Sequence, residues 1–186
     1  NAVAETLKRA GFNGRVVLIT AEDRLPYDRP NLSKAFLSGD AKASWLPLRG
    51  KDFYENIGVE TMLSTTVESV DRKNHTVKTS GGEDIRYDKL LLATGSVPKR
   101  LYAPSLRSEN IYYLRNVGDA QRIIQAAESA KSALVLGASF IGMEVAASLR
   151  ARGIEVHVAA PEEDLLSLIF GKEIGKRFRQ LHEENG

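Results

Sequence analysis

The stretch Ala133-Leu-Val-Leu-Gly137-Ala-Ser139-Phe-Ile-Gly142-Met-Glu144 constrains this chain more than any other feature. A short apolar run leads into glycines, and the glycines open an apolar-periodic helix, Val145 to Arg150. A GxGxxG-like match alone is weak. Strand, turn and helix in that order are the context in which such a turn takes a dinucleotide. The first glycine permits the tight turn, and the last lets the helix pack close to the strand. The helix N-terminus then presents unpaired N–H groups to a pyrophosphate. Ser139 stands where the second glycine is expected. A βαβ unit that uses its glycines only to turn has the same pattern.

The chain opens in what reads as the middle of a second such unit. Setting Gly153 on Gly11 lays Met143 to Gly153 over Asn1 to Gly11, and pairs Ala146 with Ala4, Leu149 with Leu7 and Arg150 with Lys8. Both helices are expected to end at a left-handed glycine and to lead into β-branched strands, Arg15 to Thr20 and Ile154 to Ala159. On this overlay a first strand and its glycine loop are expected upstream of Asn1, so the chain reads as a fragment.

Composition narrows the function classes. With 186 residues, 42% of them hydrophobic, there is room for one or two globular domains. A net charge of +2 is too small to imply nucleic acid as a partner. No apolar run approaches a membrane span. The chain has no cysteine, which excludes a disulfide framework, a Cys-ligated metal and a redox-active dithiol within these residues. His75, His157 and His182 are too scattered for a metal site and read as surface histidines.

After the Arg15–Thr20 strand comes an extended, proline-punctuated segment in which Pro26 and Pro30 bracket Tyr27-Asp28-Arg29, followed by Asn31-Leu32-Ser33-Lys34. A short helix is expected near Gly50–Asn56. Four β-like runs follow, at Gly58–Met62, Thr65–Asp71, His75–Thr79 and Ile85–Tyr87, joined by turn-forming residues. Lys89-Leu-Leu-Leu-Ala93 is apolar throughout, as a strand buried on both faces should be. It ends at Thr94-Gly95-Ser96-Val97-Pro98. Residues 100–113 read as loop, and Asp119 to Ala130 as helix. The boundary between two domains is expected near residues 105–117, giving parts 1–110 and 111–186.

Three motifs in this order, Pro26-Tyr-Asp-Arg-Pro-Asn-Leu-Ser-Lys34, Tyr87-Asp-Lys-Leu-Leu-Leu-Ala-Thr-Gly95-Ser-Val-Pro98 and Gly137–Glu144, closely resemble the FAD-dependent pyridine nucleotide–disulfide oxidoreductase superfamily. Within it they are similar to the ferredoxin-reductase and apoptosis-inducing-factor-like group. The resemblance covers essentially the whole chain and implies an α/β fold of two Rossmann-like domains, one for FAD and one for NAD(P). Each has a parallel central sheet in a three-layer arrangement, with an antiparallel β-meander, and both are incomplete here. Disulfide reductases of the superfamily carry a cysteine pair beside the flavin. This chain has Pro30-Asn-Leu-Ser-Lys34 instead, which argues against a disulfide substrate.

The resemblance implies roles for particular residues. Glu22, just past the second strand of its unit, would accept from the adenosine ribose hydroxyls of FAD, a task Asp23 could also perform. Arg29 and Lys34 would lie beside the flavin. Val67 would offer its backbone to the adenine, or serve as core. Ala93, Thr94 and Gly95 would pass close to the cofactor, with Arg100 reaching it. Gly137, Ser139, Phe140 and Ile141 would hold the pyrophosphate of NAD(P)H. Glu144 would sit near the nicotinamide and pair with Lys34 across the two domains, these two being the catalytic candidates. Alternatively, Glu144 is an acid favouring its own helix N-terminus.

The implied activity is hydride transfer from NADH to flavin, with electrons leaving singly to a ferredoxin, rubredoxin or Rieske-type iron–sulfur protein or domain. The alternatives are an NADH oxidase or redox-sensing flavoprotein, and a non-catalytic fragment that binds no FAD. NADH is preferred to NADPH because neither Lys nor Arg follows the Ala159-Ala160-Pro161 strand end, although the acids Glu162 and Glu163 come later than the ribose acid should. A cytoplasmic or mitochondrial home and a homodimer complete the expectations.

Overall fold

A computed structural model describes residues 1–101, 108–161 and 165–186. Its clearest local feature is a helix ending that occurs twice. Helix α1 (Ala2–Arg9) is followed by Gly11 at φ +84°, and the helix after the 137–142 turn by Gly153 at φ +81°. Gly11 N donates to Lys8 O at 3.0 Å and Phe12 N to Leu7 O at 3.0 Å. Gly153 N and Ile154 N repeat those bonds to Arg150 O and Leu149 O at 2.8 and 3.3 Å. This is the Schellman pattern, in which a left-handed glycine lets two otherwise orphaned carbonyls be satisfied. The overlay drawn from sequence is thus a repeat of backbone geometry.

The residues fall into two compact units, Asn1–Tyr27 with Pro47–Ser96, and Asp28–Leu46 with Val97–Gly186. The split differs from a cut at residue 110, because the segment 28–46 groups with the C-terminal residues. In the first unit β1 (Val16–Ile19) pairs in parallel with β2 (Val59–Met62). Between them lies α3 (Lys51–Asn56). Ala4, Tyr54 and Val59 form the buried centre, with Val16, Leu18, Leu25, Phe53 and Ile57 packed on it. Strands β3 (Val67–Asp71), β4 (Thr76–Thr79) and β5 (Asp84–Arg86) make the antiparallel meander.

The apolar run 89–93 is not a buried strand. Leu91 and Leu92 are 63% and 66% exposed, and among the described residues no strand pairs with the run. Its composition suits a central strand, but burial on both faces needs neighbouring strands and covering helices.

In the second unit, the segment read as extended turns out to be helical. A 3-10 helix spans Arg29–Ser33 and is followed by α2 (Ala35–Ser38), capped by Gly39 at φ +99°. Pro30 stands in the first turn of that 3-10 helix, where its missing N–H costs nothing and its fixed φ suits the helix. Helix α4 (Val117–Ala127) begins with a reciprocal capping box between Asn116 and Asp119. Strand β6 (Ser132–Leu136) leads through the glycine turn into α5 (Phe140–Ala151), then β7 (Glu155–Ala159), which pairs in parallel with β6. Two more helices, α6 (Ser167–Phe170) and α7 (Lys172–Glu184), close the chain. Buried Met143, Ala146 and Leu149 line one side of α5. Among the described residues, no helix is long and apolar enough to cross a membrane.

Candidate functional site

The β6–α5 turn is built so that helix and turn touch backbone to backbone. Gly137 adopts φ +103°, a conformation that disfavours any side chain. A Cβ at Gly142 would lie 2.0 Å from Gly137 O, so only hydrogen fits there. Ser139, in place of the second glycine, is the N-cap of α5, and its Oγ accepts from Gly142 N at 3.4 Å. The backbone amides of Phe140 and Ile141 are first-turn groups without an intrahelical acceptor, on residues that are themselves exposed. Close packing, a left-handed first glycine and first-turn amides without an intrahelical acceptor are the features a pyrophosphate requires.

One turn further along α5, Glu144 meets the 3-10 segment of the same unit. Lys34 Nζ lies 2.8 Å from Glu144 Oε1, and Ser33 Oγ donates to Oε2 at 2.6 Å. Glu144 is the fifth residue of α5, and no acid stands in the first turn. An acid serving its own helix N-terminus therefore does not describe it, since that effect fades beyond the first turn. Burial is the largest influence on its carboxyl and pushes the pKa up. Hydrogen bonds from Lys34 and Ser33, with the charge of Lys34, outweigh burial and hold it below the ordinary glutamate value.

Two residues that sequence reasoning missed extend this contact. Ser148 Oγ, buried, donates to Ser33 O at 2.8 Å, and Arg152 Nε donates to Leu37 O. Glu144, Ser148 and the C-cap residue Arg152 recur every fourth residue and so lie along one side of α5 and its end. That polar stripe was the available signal. Arg29 binds the carbonyl of Arg115 at 3.0 Å, just before α4. Arg100 lies with Cζ 5.5 Å from the centre of the Tyr113 ring, a cation–π distance.

The first unit holds the remaining candidates. Glu22 Oε2 accepts from the buried Tyr27 hydroxyl at 2.7 Å. Asp23 is bonded to Arg24 at 2.8 Å, and that bond, ahead of Arg24's charge, lowers its pKa. Val67 is exposed at a bulge in β3, so its side chain is not core. Ala93, Thr94 and Gly95 are exposed, and Gly95 adopts φ +71°. Glu162 and Glu163 lie outside the described residues. Among the described residues, no group of acids and histidines is arranged to hold a metal ion.

Known proteins share this architecture. Apoptosis-inducing factor 3 of Mus musculus is 39% identical over 98% of the chain, which spans 29% of that protein. Rhodocoxin reductase of Rhodococcus erythropolis is 32% identical over 98% of the chain and 43% of its own length. A crystal structure of the ferredoxin reductase for the CYP199A2 system from Rhodopseudomonas palustris superposes with a TM-score of 0.93 at 34% identity. It covers 99% of this chain and 45% of that one. The chain thus spans less than half the length of these relatives, and its fold is the Rossmann-like fold they share. The family model described as pyridine nucleotide-disulphide oxidoreductase matches residues 1–186, and the chain belongs to that family of FAD- and NAD(P)H-dependent oxidoreductases.

Proposed function

We propose that this chain is the nucleotide-binding part of a flavoprotein reductase that takes hydride from NADH and passes electrons to a ferredoxin- or rubredoxin-like iron–sulfur protein. The observation that carries the reading is the β6–α5 turn, where Gly142 packs on the Gly137 carbonyl and the first-turn residues Phe140 and Ile141 of α5 are exposed. FAD and the nicotinamide nucleotide, when bound, supply the hydride chemistry. The protein's part is to hold and orient. Residues 137–141 would grip the pyrophosphate through backbone N–H groups. Glu144 and Lys34 would stand at the nicotinamide as a neutralised pair, with Arg29 and Arg100 adding positive charge in the same unit.

In the first unit Glu22, held by Tyr27, would accept two hydroxyls of the FAD ribose, and Val67, Ala93, Thr94 and Gly95 would offer backbone. The iron–sulfur acceptor is supported by relatives named for it. Rubredoxin-NAD(+) reductase of Pseudomonas putida is 36% identical over 83% of this chain. NADH is favoured over NADPH because Ala159-Ala160-Pro161 brings no cation for a 2′-phosphate.

An apoptosis-inducing-factor-like NADH oxidase or redox-sensing flavoprotein is the second reading, in keeping with the 39% identity to a protein named apoptosis-inducing factor 3. The two part on turnover of the intact protein with NADH. Reduction of ferredoxin much faster than of oxygen supports the reductase, and a ferredoxin rate no higher than the oxygen rate overturns it.

A further inference from the structure

The Glu144 carboxylate is held by two donors of different kinds. Lys34 approaches Oε1 on a flexible stem that is 50% exposed. Its ammonium has three equivalent protons and accepts many carboxylate orientations. Ser33 differs in each respect, being short, 4% exposed and able to donate one proton. Two acceptors compete for that proton, Glu144 Oε2 at 2.6 Å and Pro30 O at 3.3 Å. The nearer one is ionised and takes it, at a distance typical of a charge-assisted O–H···O⁻ bond.

The backbone beneath Ser33 is fixed as well. Ser148 donates to Ser33 O at 2.8 Å, and its oxygen stands 3.3 Å from Lys34 O. A buried hydroxyl on an anchored backbone can therefore set an angle that a half-exposed lysine cannot.

We propose that Ser33 is a positioning residue of the nicotinamide site, whose hydroxyl fixes the rotation of the Glu144 carboxylate so that one oxygen always faces Lys34. The role rests on the reading of Glu144 and Lys34 given under Proposed function. Lys34 is the charged side chain whose field acts on Glu144, and Ser33 is the neutral donor beside it. Removing the hydroxyl leaves Oε2 without its donor and the carboxylate free to turn.

The test compares the intact flavoprotein with its Ser33→Ala, Ser33→Thr and Glu144→Gln variants. Two quantities are read: kcat and KM for NADH, and the carbon-13 titration of the Glu144 carboxyl, assigned by its loss in Glu144→Gln. Ser33→Ala should raise the Glu144 titration midpoint, because a bond favouring the charged form is gone. It should also lower kcat/KM for NADH roughly tenfold, the worth of one charge-assisted hydrogen bond. Ser33→Thr keeps the hydroxyl and should restore both. Wild-type titration and kinetics in Ser33→Ala, with Glu144→Gln impaired, overturn the positioning role and leave the site reading standing. Equal kinetic losses in Ser33→Ala and Ser33→Thr with the titration unmoved make Ser33 a packing residue and overturn it too. Wild-type NADH kinetics in Glu144→Gln overturn the site reading, and the role of Ser33 with it.

Discussion

Lys34 Nζ and Glu144 Oε1 stand 2.8 Å apart on a partly exposed surface, with the lysine side chain half in solvent. Pairs exposed to this degree contribute at most about 1 kcal/mol to folding. Stability alone would be a poor explanation for such a pair, whereas a charge pair at a reacting centre acts on the transition state. Lys34→Met should therefore lower the unfolding free energy by less than about 1 kcal/mol. The same change should cut the rate of flavin reduction by NADH at least tenfold. Chemical denaturation and rapid-mixing spectroscopy read the two effects separately, and a large stability loss with unchanged reduction would contradict the account.

The Glu144 carboxyl predicts a pH dependence. Its folded-state pKa lies below the ordinary value, burial being outweighed by Lys34 and Ser33. A carboxyl that is a stronger acid when folded stabilises fully above its unfolded pKa, about 4.3. That contribution is lost as pH falls through the folded value. The stability difference between the wild type and Glu144→Gln should hold near neutrality and shrink in acid. A difference that stays constant down to about pH 3 counts against the ion pair.

Ser148 is buried, and its hydroxyl serves the carbonyl of Ser33. Ser148→Ala removes that donor and leaves a carbonyl without it in a desolvated place. The expected loss is about 1–3 kcal/mol, read from the denaturant midpoint. No change in the midpoint would mean that the 28–38 segment does not depend on this face of α5.

Gly142→Ala would put a methyl 2.0 Å from Gly137 O. Relief requires moving α5 off the turn, at a cost of about 1–3 kcal/mol, and the amides of Phe140 and Ile141 would move with it. Gly137→Ala meets open space but must adopt φ +103°, a strain of about 1–3 kcal/mol. Both variants should bind NADH more weakly in calorimetry. Wild-type affinity in Gly142→Ala would detach the turn from nucleotide binding.

Much of this molecule was legible in the sequence where local chemistry decides structure. Gly11 and Gly153 announced their left-handed caps, and β-like runs joined by turn formers announced β3, β4 and β5. The β6–turn–α5 order was legible from the apolar run before the glycines and the apolar-periodic helix after them. What escaped depends on tertiary context. Pro26 and Pro30 suggested an extended chain, yet Pro30 opens a 3-10 helix, as proline does when its N–H would have no partner anyway. The leucines at 90–92 read as buried, but hydrophobicity names a preference for burial and not the strands that must provide it. Helix α7 went unread although Ile174, Phe178 and Leu181 recur at i, i+4 and i+7 along it, the spacing of an amphipathic helix. Its i,i+4 pairs, Arg179 with Glu183 at 2.8 Å and Gln180 with Glu184 at 2.7 Å, were a second signal. At the site, Lys34 and Glu144 stood out because the family resemblance of their motifs implies roles for them. Ser33 did not, since a lone serine reveals its role only through what it touches, and Ser148 was signalled only by the polar stripe it shares with Glu144 and Arg152.

Anaerobic addition of NADH to the intact protein tests the central claim most directly. The account predicts that bound flavin is reduced rapidly by one equivalent of NADH, and much more slowly in Glu144→Gln. Flavin that stays oxidised in excess NADH and NADPH, or is reduced at the wild-type rate in Glu144→Gln, would contradict it.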